Sequence, residues 1–252
     1  MRAIERYLEQ EAIEAMREAG RAAAGTLRAV LEAVRVGTTT AEIDRWVRDD
    51  TARRGGHPSQ LGFHGFPAAV CVSRNDVVCH GIPSETERIA EGDIVNVDVT
   101  TRLNGFHGDT SATVCIGPVS AEAAHVVETA RRCRDAGVAV VRHGARMGDI
   151  GAAILEVARS AGCSVVEDFG GHGIGRQMHA PPFVPHVGRR GVGLRLEEGM
   201  CLTIEPMVNL GSAKVRAMPD GWTIRTADGS LSAQFEHTVR VTREGCEILT
   251  RM

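Results

Sequence analysis

The amino-acid sequence predicts an α+β fold made of two related halves that face each other. Two helical regions are followed by short strand-like runs, and this order then occurs a second time. Each half also contains a Glu-Gly pair that opens an apolar run and leads to a carboxylate at the same offset: "EGDIVNVDVT" contains Asp98, and "EGMCLTIEP" contains Glu205. Glu-Gly before a strand is a common turn, but the element order and the acid offset agree independently, which favours a duplication.

The composition is that of an ordinary soluble globular protein. The 252 residues are 43% hydrophobic and 24% charged, with a formal net charge of -3, so the chain can form one large domain or two small ones. This charge argues against nucleic acid as a substrate and against an anionic membrane as a partner. No apolar window reaches transmembrane length, and the charged, helical start "MRAIERYLEQEAIEAM" is unlike a signal peptide. We therefore expect a cytoplasmic protein.

The seven cysteines are scattered and include no CxxC pair. We expect neither a structural zinc site nor a disulfide framework, because the chain is large enough to be stabilised by its core. The cysteines are therefore predicted to be reduced thiols, most of them buried.

The first half begins with two predicted helices. Apolar residues at helical spacing cover residues 4–34, and Gly37 ends this stretch. A capping box of Thr39 and Glu42 starts the second helix, which ends at the next glycine pair. From residue 67 to residue 114 the pattern changes to short β-rich runs, "AAVCVS", "DIVNVDVT" and "FHGDTSATVCI".

The second half follows the same order. Ser120 opens a helical region that reaches about Arg142, and a further helix over residues 147–161 ends at Gly162. Strand-like runs then return at "CSVVEDFG", "MCLTIEPMV", "GWTIRTAD" and "AQFEHTVRVT". This second occurrence of helices followed by strands is the main support for the duplication.

A predicted hairpin brings two carboxylates together. Asn104-Gly105 is a strong signal for a two-residue turn, which would place Thr100 opposite Asp109. Asp98 lies two residues before Thr100 and therefore on the same face, as a diagonal neighbour of Asp109 within reach of a shared ion. The alternative is a solvated polar face. The apolar runs on both sides of the hairpin make a largely buried sheet the better interpretation.

Four more side chains are candidates for the same site. His172 lies among glycines in "DFGGHGIGRQMH", where a tight backbone can bring an imidazole close to other groups, and His179 follows in the same run. A lone histidine is more often structural, and a tight turn alone would explain the glycines. Glu205 and Glu236 follow apolar or aromatic residues on predicted central strands. A buried glutamate is rare unless it is paired or binds a metal.

If these groups converge, the chemistry favours two divalent cations. Four crowded carboxylates cannot all ionise inside a protein, because like charges raise each other's pKa. Two divalent cations would balance them. An oxygen-rich ligand set with one imidazole suits manganese, iron(II), cobalt or zinc. A pair of such ions can lower the pKa of a shared water toward neutrality, which indicates a hydrolase.

The sequence resembles the type I methionine aminopeptidases over nearly its whole length. The motifs that carry the resemblance are "LGFHGFP", "VVCHGIP", "VNVDVT", "HGDTSATV", "GGHGIGRQMH", "TIEPM" and "FEHTV". One of these motifs alone would be weak evidence, but the set is specific. The resemblance implies the pita-bread fold, in which two pseudo-symmetric αβ halves enclose a metal site in a central antiparallel sheet covered by helices. It also implies the short bacterial form of the family.

The resemblance assigns roles to the candidate residues. It implies a dinuclear metal site with Asp109 and Glu236 as bridging ligands. Glu205 would also shuttle a proton, His179 would stabilise the oxyanion-like intermediate, and His80 would hold the peptide near the scissile nitrogen. A core histidine that caps a turn is the alternative for His80. The implied ligands are Asp98, Asp109, His172, Glu205 and Glu236.

The resemblance also implies a pocket for the methionine side chain. The pocket residues would be Phe63, Phe66, Cys71, Met178 and Trp222. Phenylalanine at 63 and 66 replaces the usual tyrosine, methionine at 178 replaces phenylalanine, and glutamine at position 60 replaces a common cysteine. The pocket stays apolar despite these departures, so we expect methionine preference with altered kinetics.

The remaining expectations follow from the same resemblance. A monovalent cation, sodium or potassium, would bind near Asn75, Val77 and Ser232. One catalytic domain would cover residues 1–252, with an N-terminal helical stretch over about 1–36 and halves at about 37–117 and 118–252. The substrates would be nascent polypeptide N-termini with a small second residue. The protein would be a monomer that contacts the ribosome transiently.

Two other functions stay open at this point. A proline-specific aminopeptidase of the same fold would share the metal ligands but usually has a large N-terminal domain. A non-catalytic peptide-binding relative is the other alternative, although such proteins typically lose ligands and all five are present here. A comparison of Met-Ala-Ser with Xaa-Pro peptides, together with metal analysis, would separate these three functions.

Overall fold

The computed structural model describes residues 4–251 of the chain. Four α-helices and a single 3-10 turn, Phe63–Gly65, occur in this part of the chain. The helices are α1 (Gln10–Ala33), α2 (Thr40–Arg53), α3 (Ala121–Ala139) and α4 (Met147–Ser160). No helix among these residues is both long enough and apolar enough to cross a membrane.

Fifteen short strands form four sheets within residues 4–251, and every pairing between them is antiparallel. The strands are β1 (His57–Pro58), β2 (Cys71–Arg74), β3 (Val77–Cys79), β4 (Ile94–Leu103), β5 (Phe106–Cys115), β6 (Ser164–Val165), β7 (Gly170–Gly173), β8 (Ala180–Pro185), β9 (Cys201–Ile204), β10 (Met207–Asn209), β11 (Val215–Ala217), β12 (Ile224–Thr226), β13 (Ser232–Gln234), β14 (His237–Val241) and β15 (Cys246–Ile248). One sheet contains β1, β4, β2 and β5, and another has the order β15-β14-β9-β7-β8. Two three-stranded sheets, β13-β10-β6 and β11-β12-β3, complete the set.

Most predicted helix ends agree with the structure, and one does not. Helix α2 starts at the predicted capping box, in which the Thr39 side chain accepts a hydrogen bond from Glu42 N. The first helix begins at Gln10 rather than at residue 4, because residues 4–9 have no regular secondary structure and Tyr7 N donates to Gly199 O instead of bonding within a helix. Residues 1–3 of the predicted N-terminal helical stretch lie outside the described part of the chain.

The structure repeats at a constant distance along the chain. Helices α2 and α4 each have 14 residues, and they start 107 residues apart, at Thr40 and Met147. The pairing of β1 with β4 has the same register as the pairing of β6 with β10 after the same shift. Asp98 and Glu205 are separated by the same 107 positions. The matched runs in the sequence therefore occupy equivalent places in the structure.

Helix α1 packs closely on the β4–β5 hairpin because both surfaces carry small residues. Ala19, Gly20 and Ala23 are buried on the helix. A Cβ atom on Gly108 of β5 would lie 2.6 Å from backbone atoms of Ala19 and Gly20, so no side chain fits at this position. The helix thereby covers one face of the hairpin that carries the candidate aspartates.

Candidate metal centre

The β4–β5 hairpin presents Asp98 and Asp109 on one face. The ladder places Thr100 opposite Asp109 and Asp98 opposite Ser111, which is the register predicted from the Asn104-Gly105 turn. Because side chains alternate along a strand, Asp98 and Asp109 share a face as diagonal neighbours. The Thr100 hydroxyl donates a hydrogen bond of 2.7 Å to Asp109 Oδ1 and fixes the orientation of that carboxylate.

Glu205 and Glu236 lie at breaks between strands: Glu205 directly follows the apolar strand predicted before it, and Glu236 directly precedes the next strand. Glu205 follows β9 at the point where the chain moves to another sheet, and Glu236 lies between β13 and β14. Pro206 has no N–H and cannot continue the ladder. Glu205 N donates to His186 Nε2 at 3.2 Å, and Glu236 N donates to Ser111 O at 3.0 Å. The backbone therefore leaves the sheet at both glutamates.

His172 reaches the carboxylates from β7. Its Nδ1 lies 3.0 Å from Gly173 O, and since a carbonyl only accepts, Nδ1 carries the proton and Nε2 is free to bind a cation. His172 Nε2 lies 3.7 Å from Asp109 Oδ2 and 3.6 Å from Glu205 Oε1. A Cβ atom on Gly171 would lie 2.2 Å from Thr203 O, so glycine is required for β7 to lie this close to β9.

The structure brings the five predicted metal ligands together. Their ligand atoms form overlapping groups, with the atoms of each group within 4.8 Å of one another. The groups are Asp98, Asp109 and Glu236; His172, Glu205 and Glu236; and Asp109, His172 and His179. Glu236 Oε1 is buried and has no hydrogen-bond partner in the described part of the chain. An orphaned carboxylate oxygen within an oxygen-rich set with one imidazole fits a divalent cation.

Burial gives the carboxylates unusual pKa values. Desolvation raises the pKa of Asp109 to about 7, and desolvation together with the charge of Asp109 raises that of Glu205 to about 8. The same two causes raise the pKa values of Asp98 and Glu236 well above the ordinary range. Desolvation lowers the pKa of His172 to about 3, so its imidazole is neutral at physiological pH. Bound cations would remove the repulsion that opposes ionisation of the acids.

Further hydrogen bonds hold the ligands, and the sequence analysis missed the residues that make them. Thr203 Oγ1 accepts from His172 N at 2.9 Å and donates to Glu205 Oε1 at 2.6 Å. Gln234 Nε2 donates to Glu205 Oε2 at 3.2 Å. The sequence contained a usable signal, because Thr203 precedes Glu205 by two residues in a strand-like run and so shares its face.

The predicted substrate residues line one cavity of about 350 Å³ above the ligands. Phe66 packs edge-on against Trp222 at 5.1 Å between ring centres. His80 lies edge-on to Trp222 at 6.3 Å, and Phe63 lies edge-on to His179 at 4.9 Å. The lining residues named from the sequence are Gln60, Phe63, Phe66, Cys71, His80, Met178, His179 and Trp222, and those not foreseen include Phe169, Phe183 and Met207.

The residues predicted for a monovalent cation are not among those that line this cavity. Ser232 N donates to Asn75 O at 2.9 Å, so these two residues are neighbours. The Asn75 side chain bonds to Asp93 Oδ1 and to Ile94 N. Val77 starts the adjacent strand β3.

The family of the chain follows from comparison with known proteins. A family model described as metallopeptidase family M24 matches residues 14–243. The chain belongs to metallopeptidase family M24. Methionine aminopeptidase B of Synechocystis sp. is 48% identical over 245 residues, covering 94% of this chain and 89% of that protein. The methionine aminopeptidase structure from Rickettsia prowazekii has a TM-score of 0.96 at 42% identity, covering 99% of this chain and 100% of that chain.

These comparisons confirm the predicted resemblance to type I methionine aminopeptidases and the α+β pita-bread fold. The structure of the prolidase from Pyrococcus furiosus has a TM-score of 0.76 at 20% identity, covering 97% of this chain and 65% of that chain. At this identity the likeness shows a shared fold and no more. The methionine aminopeptidase structure from Rickettsia prowazekii, at 42% identity, is more similar in sequence to this chain than the prolidase, at 20%.

Proposed function

We propose that this protein removes the N-terminal methionine from polypeptides by metal-dependent hydrolysis. The convergence of five ligand side chains at one apolar cavity is the observation that carries the proposal. The family membership and the names of the similar proteins agree with it. The free α-amine and the first peptide bond would enter the cavity with the methionine side chain.

We infer that the five side chains hold two divalent cations, drawn from cobalt, manganese, iron(II) and zinc. Asp109, Glu236 and His172 each belong to two groups of ligand atoms, and of these three only the two carboxylates have two oxygens, so Asp109 and Glu236 would be the bridging ligands. Asp98 would complete one ion, and His172 and Glu205 the other. When bound, such cations supply an activated water and electrostatic stabilisation of the developing negative charge.

Glu205 is the proposed proton shuttle. Its carboxylate would take a proton from the attacking water and return it to the leaving amine. Thr203 and Gln234 each donate a hydrogen bond to this carboxylate, at 2.6 Å and 3.2 Å, so its orientation is fixed for proton transfer. The raised pKa of about 8 shows how strongly the surroundings favour the protonated form before a cation balances the charge.

His179 and His80 would bind the peptide at the mouth of the site. The His179 ring lies edge-on to His172, with 4.2 Å between ring centres, and His179 is exposed at the cavity mouth. An N–H of His179 would donate to the oxyanion that forms at the scissile carbonyl. Desolvation lowers the pKa of His80, so it would act as a neutral imidazole that holds the scissile nitrogen.

The cavity also supports the proposed selectivity. Phe66, Cys71 and Trp222 pack together as one apolar cluster. Phe63 and Met178 line the same cavity. The flexible thioether side chain of a substrate methionine would fit this apolar surface. A small second residue would be preferred because the chain must turn out of the cavity directly after the scissile bond.

The finer expectations belong to the same proposal. The protein would be the short bacterial form, a cytoplasmic monomer that acts on nascent chains and contacts the ribosome transiently. Its catalytic domain would cover residues 1–252, with the division at 37–117 and 118–252, and the repeat at 107-residue spacing supports two such halves. A sodium or potassium ion near Asn75, Val77 and Ser232 would stabilise the structure.

Reconstitution of metal-free protein tests the function. The protein is titrated anaerobically with each of the four cations and assayed with Met-Ala-Ser and with an Xaa-Pro peptide. We expect about two bound ions per chain and turnover of Met-Ala-Ser alone. Turnover of the Xaa-Pro peptide alone would favour the proline-specific alternative. Absence of both bound metal and turnover would favour the non-catalytic relative.

A further inference from the structure

An irregular segment at the start of the described chain, residues 4–9, is hydrogen-bonded to distant residues of the second half. Tyr7 N donates to Gly199 O at 2.8 Å, and Arg240 Nε donates to Tyr7 O at 3.3 Å. The backbone of Tyr7 is therefore fixed between the turn before β9 and strand β14. This anchoring determines where the Tyr7 side chain points.

The Tyr7 side chain reaches the glycine-rich loop that follows His172. Its ring is buried and lies edge-on to Phe106, with 5.4 Å between ring centres. The hydroxyl accepts a hydrogen bond of 3.1 Å from Arg176 N and donates to the Glu5 carboxylate. A Cβ atom on Gly175 would lie 1.9 Å from the hydroxyl oxygen, so glycine is required where the tyrosine meets the loop.

The β4–β5 hairpin also contacts this loop, at Gly175 and Arg176. Gly175 O accepts from both His107 N and His107 Nδ1, each at 2.9 Å. The Arg176 guanidinium lies 4.5 Å from the centre of the Phe106 ring. Tyr7 supplies the remaining contact, since it alone accepts from Arg176 N among the hydrogen bonds of the described residues. The loop is thus held at Gly175 and Arg176, just before His179, by two distant parts of the chain: Tyr7 and the β4–β5 hairpin.

We propose that Tyr7 is a positioning residue that acts through His179. The Tyr7 hydroxyl fixes the backbone at Arg176, and this fixes the direction in which the loop delivers the exposed imidazole of His179 to the cavity mouth. His172 does not depend on this contact, because Thr203 and Gly173 bind its backbone N–H and its ring. The inference rests on the proposed function, since it uses the role of His179 there.

A double-mutant cycle with Tyr7→Phe and His179→Ala tests the proposal. Tyr7→Phe keeps the ring and removes the hydroxyl that accepts from Arg176 N and donates to Glu5, so we expect kcat/KM for Met-Ala-Ser to fall about three- to tenfold, mainly through kcat. In the His179→Ala protein, the same change should cost less than about twofold, because residues that act through one group are not additive. An equal fold loss in both backgrounds would overturn the proposal.

Hydrogen exchange gives a second readout that needs no activity. We expect the amides of the loop at residues 173–179 to exchange faster in Tyr7→Phe and in Gly175→Ala than in the unchanged protein. The affinity for Mn²⁺ should stay within about twofold in Tyr7→Phe, because the contacts of His172 are retained. Unchanged exchange in the loop would show that Tyr7 does not fix it. If the unchanged protein fails to cleave Met-Ala-Ser with any cation, the proposed function fails, while the exchange result still decides the role of Tyr7.

Discussion

The two strands that follow a Glu-Gly pair hold their carboxylates in different ways. Strand β4 has ten residues and pairs with β5 along its whole length, so Asp98 lies inside a continuous ladder. Strand β9 ends at Ile204, and Glu205 lies directly before Pro206, where the chain passes to another sheet. Asp98 and Glu205 thus occupy equivalent positions of the repeat, but Asp98 lies within a paired strand and Glu205 lies just beyond the end of one.

The difference agrees with the proposed roles, metal binding for the hairpin aspartates and proton transfer for Glu205. In the hairpin, the pairing of β4 with β5 fixes the Cα positions of Asp98 and Asp109, and Asp109 N also donates to Thr238 Oγ1 at 3.0 Å. Glu205 lies outside a ladder, and its carboxylate accepts from Thr203 and Gln234 while its N–H donates to His186. A carboxylate that lies outside a ladder can exchange a proton while the β4–β5 hairpin keeps Asp98 and Asp109 in place.

Asp109→Asn replaces a proposed metal ligand on the β4–β5 hairpin, and we expect this variant to have the largest effect. The charge that would bridge two cations is lost while the side-chain volume is kept, so kcat/KM should fall by about a thousandfold or more. Calorimetry should show weaker Mn²⁺ binding. Ser111→Ala on the same strand is the matched control, since the Ser111 hydroxyl has no partner in the described residues. A similar loss in that control would mean that the strand itself is disturbed.

Glu205→Gln tests the other side. The amide can still bind a cation through its oxygen but cannot accept the proton of the water, so we expect a loss of about 10²- to 10⁴-fold in kcat. Part of the Mn²⁺ affinity should remain, in contrast to Asp109→Asn. Near-normal turnover would exclude Glu205 from proton transfer. If Glu205→Gln lost as much Mn²⁺ affinity as Asp109→Asn, the proposed difference between the hairpin acid and the acid at the strand break would be wrong.

The raised pKa values predict that cation affinity increases with pH. In the metal-free protein, Asp109 and Glu205 titrate at about 7 and about 8, so both carry protons at pH 6. A cation must displace these protons, and its affinity should therefore rise about ten- to hundredfold from pH 6 to pH 7 and continue to rise above pH 7, because the pKa values of Asp98 and Glu236 are raised as well. Calorimetry of Mn²⁺ binding in several buffers gives both the affinity and the number of protons released. A flat profile would contradict the assignment.

A matched pair of threonine variants gives the smallest expected effect and the sharpest comparison. Thr203→Val removes a hydroxyl that bonds both His172 and Glu205, whereas Thr100→Val removes a single bond to Asp109 in the ladder. We expect kcat/KM to fall about tenfold or more for Thr203→Val and only a fewfold for Thr100→Val. Equal losses of kcat/KM in the two variants would show that Glu205, at the end of β9, does not depend on its side-chain partners more than Asp109 does.

Much of the candidate site could be predicted because its signals are local. The Asn104-Gly105 turn sets the register of the hairpin, and the register sets which face Asp98 and Asp109 share. The glycines around His172 likewise predicted a close approach, which the structure shows between Gly171 and Thr203. Local signals did not reveal the strand breaks at Glu205 and Glu236, because these depend on which sheet the chain joins next.

The sequence by itself determined the order of elements, the hairpin and the identity of the five candidate ligands. Spacing, turn residues and the chemistry of buried acids are properties of short stretches, and they need no knowledge of distant contacts. Only the tertiary structure decided that Glu205 and Glu236 lie at breaks between strands, and that Tyr7 lies against Gly175 from 168 positions away in the chain. Those positions depend on packing between segments far apart in sequence, and close packing is set by all partners at once.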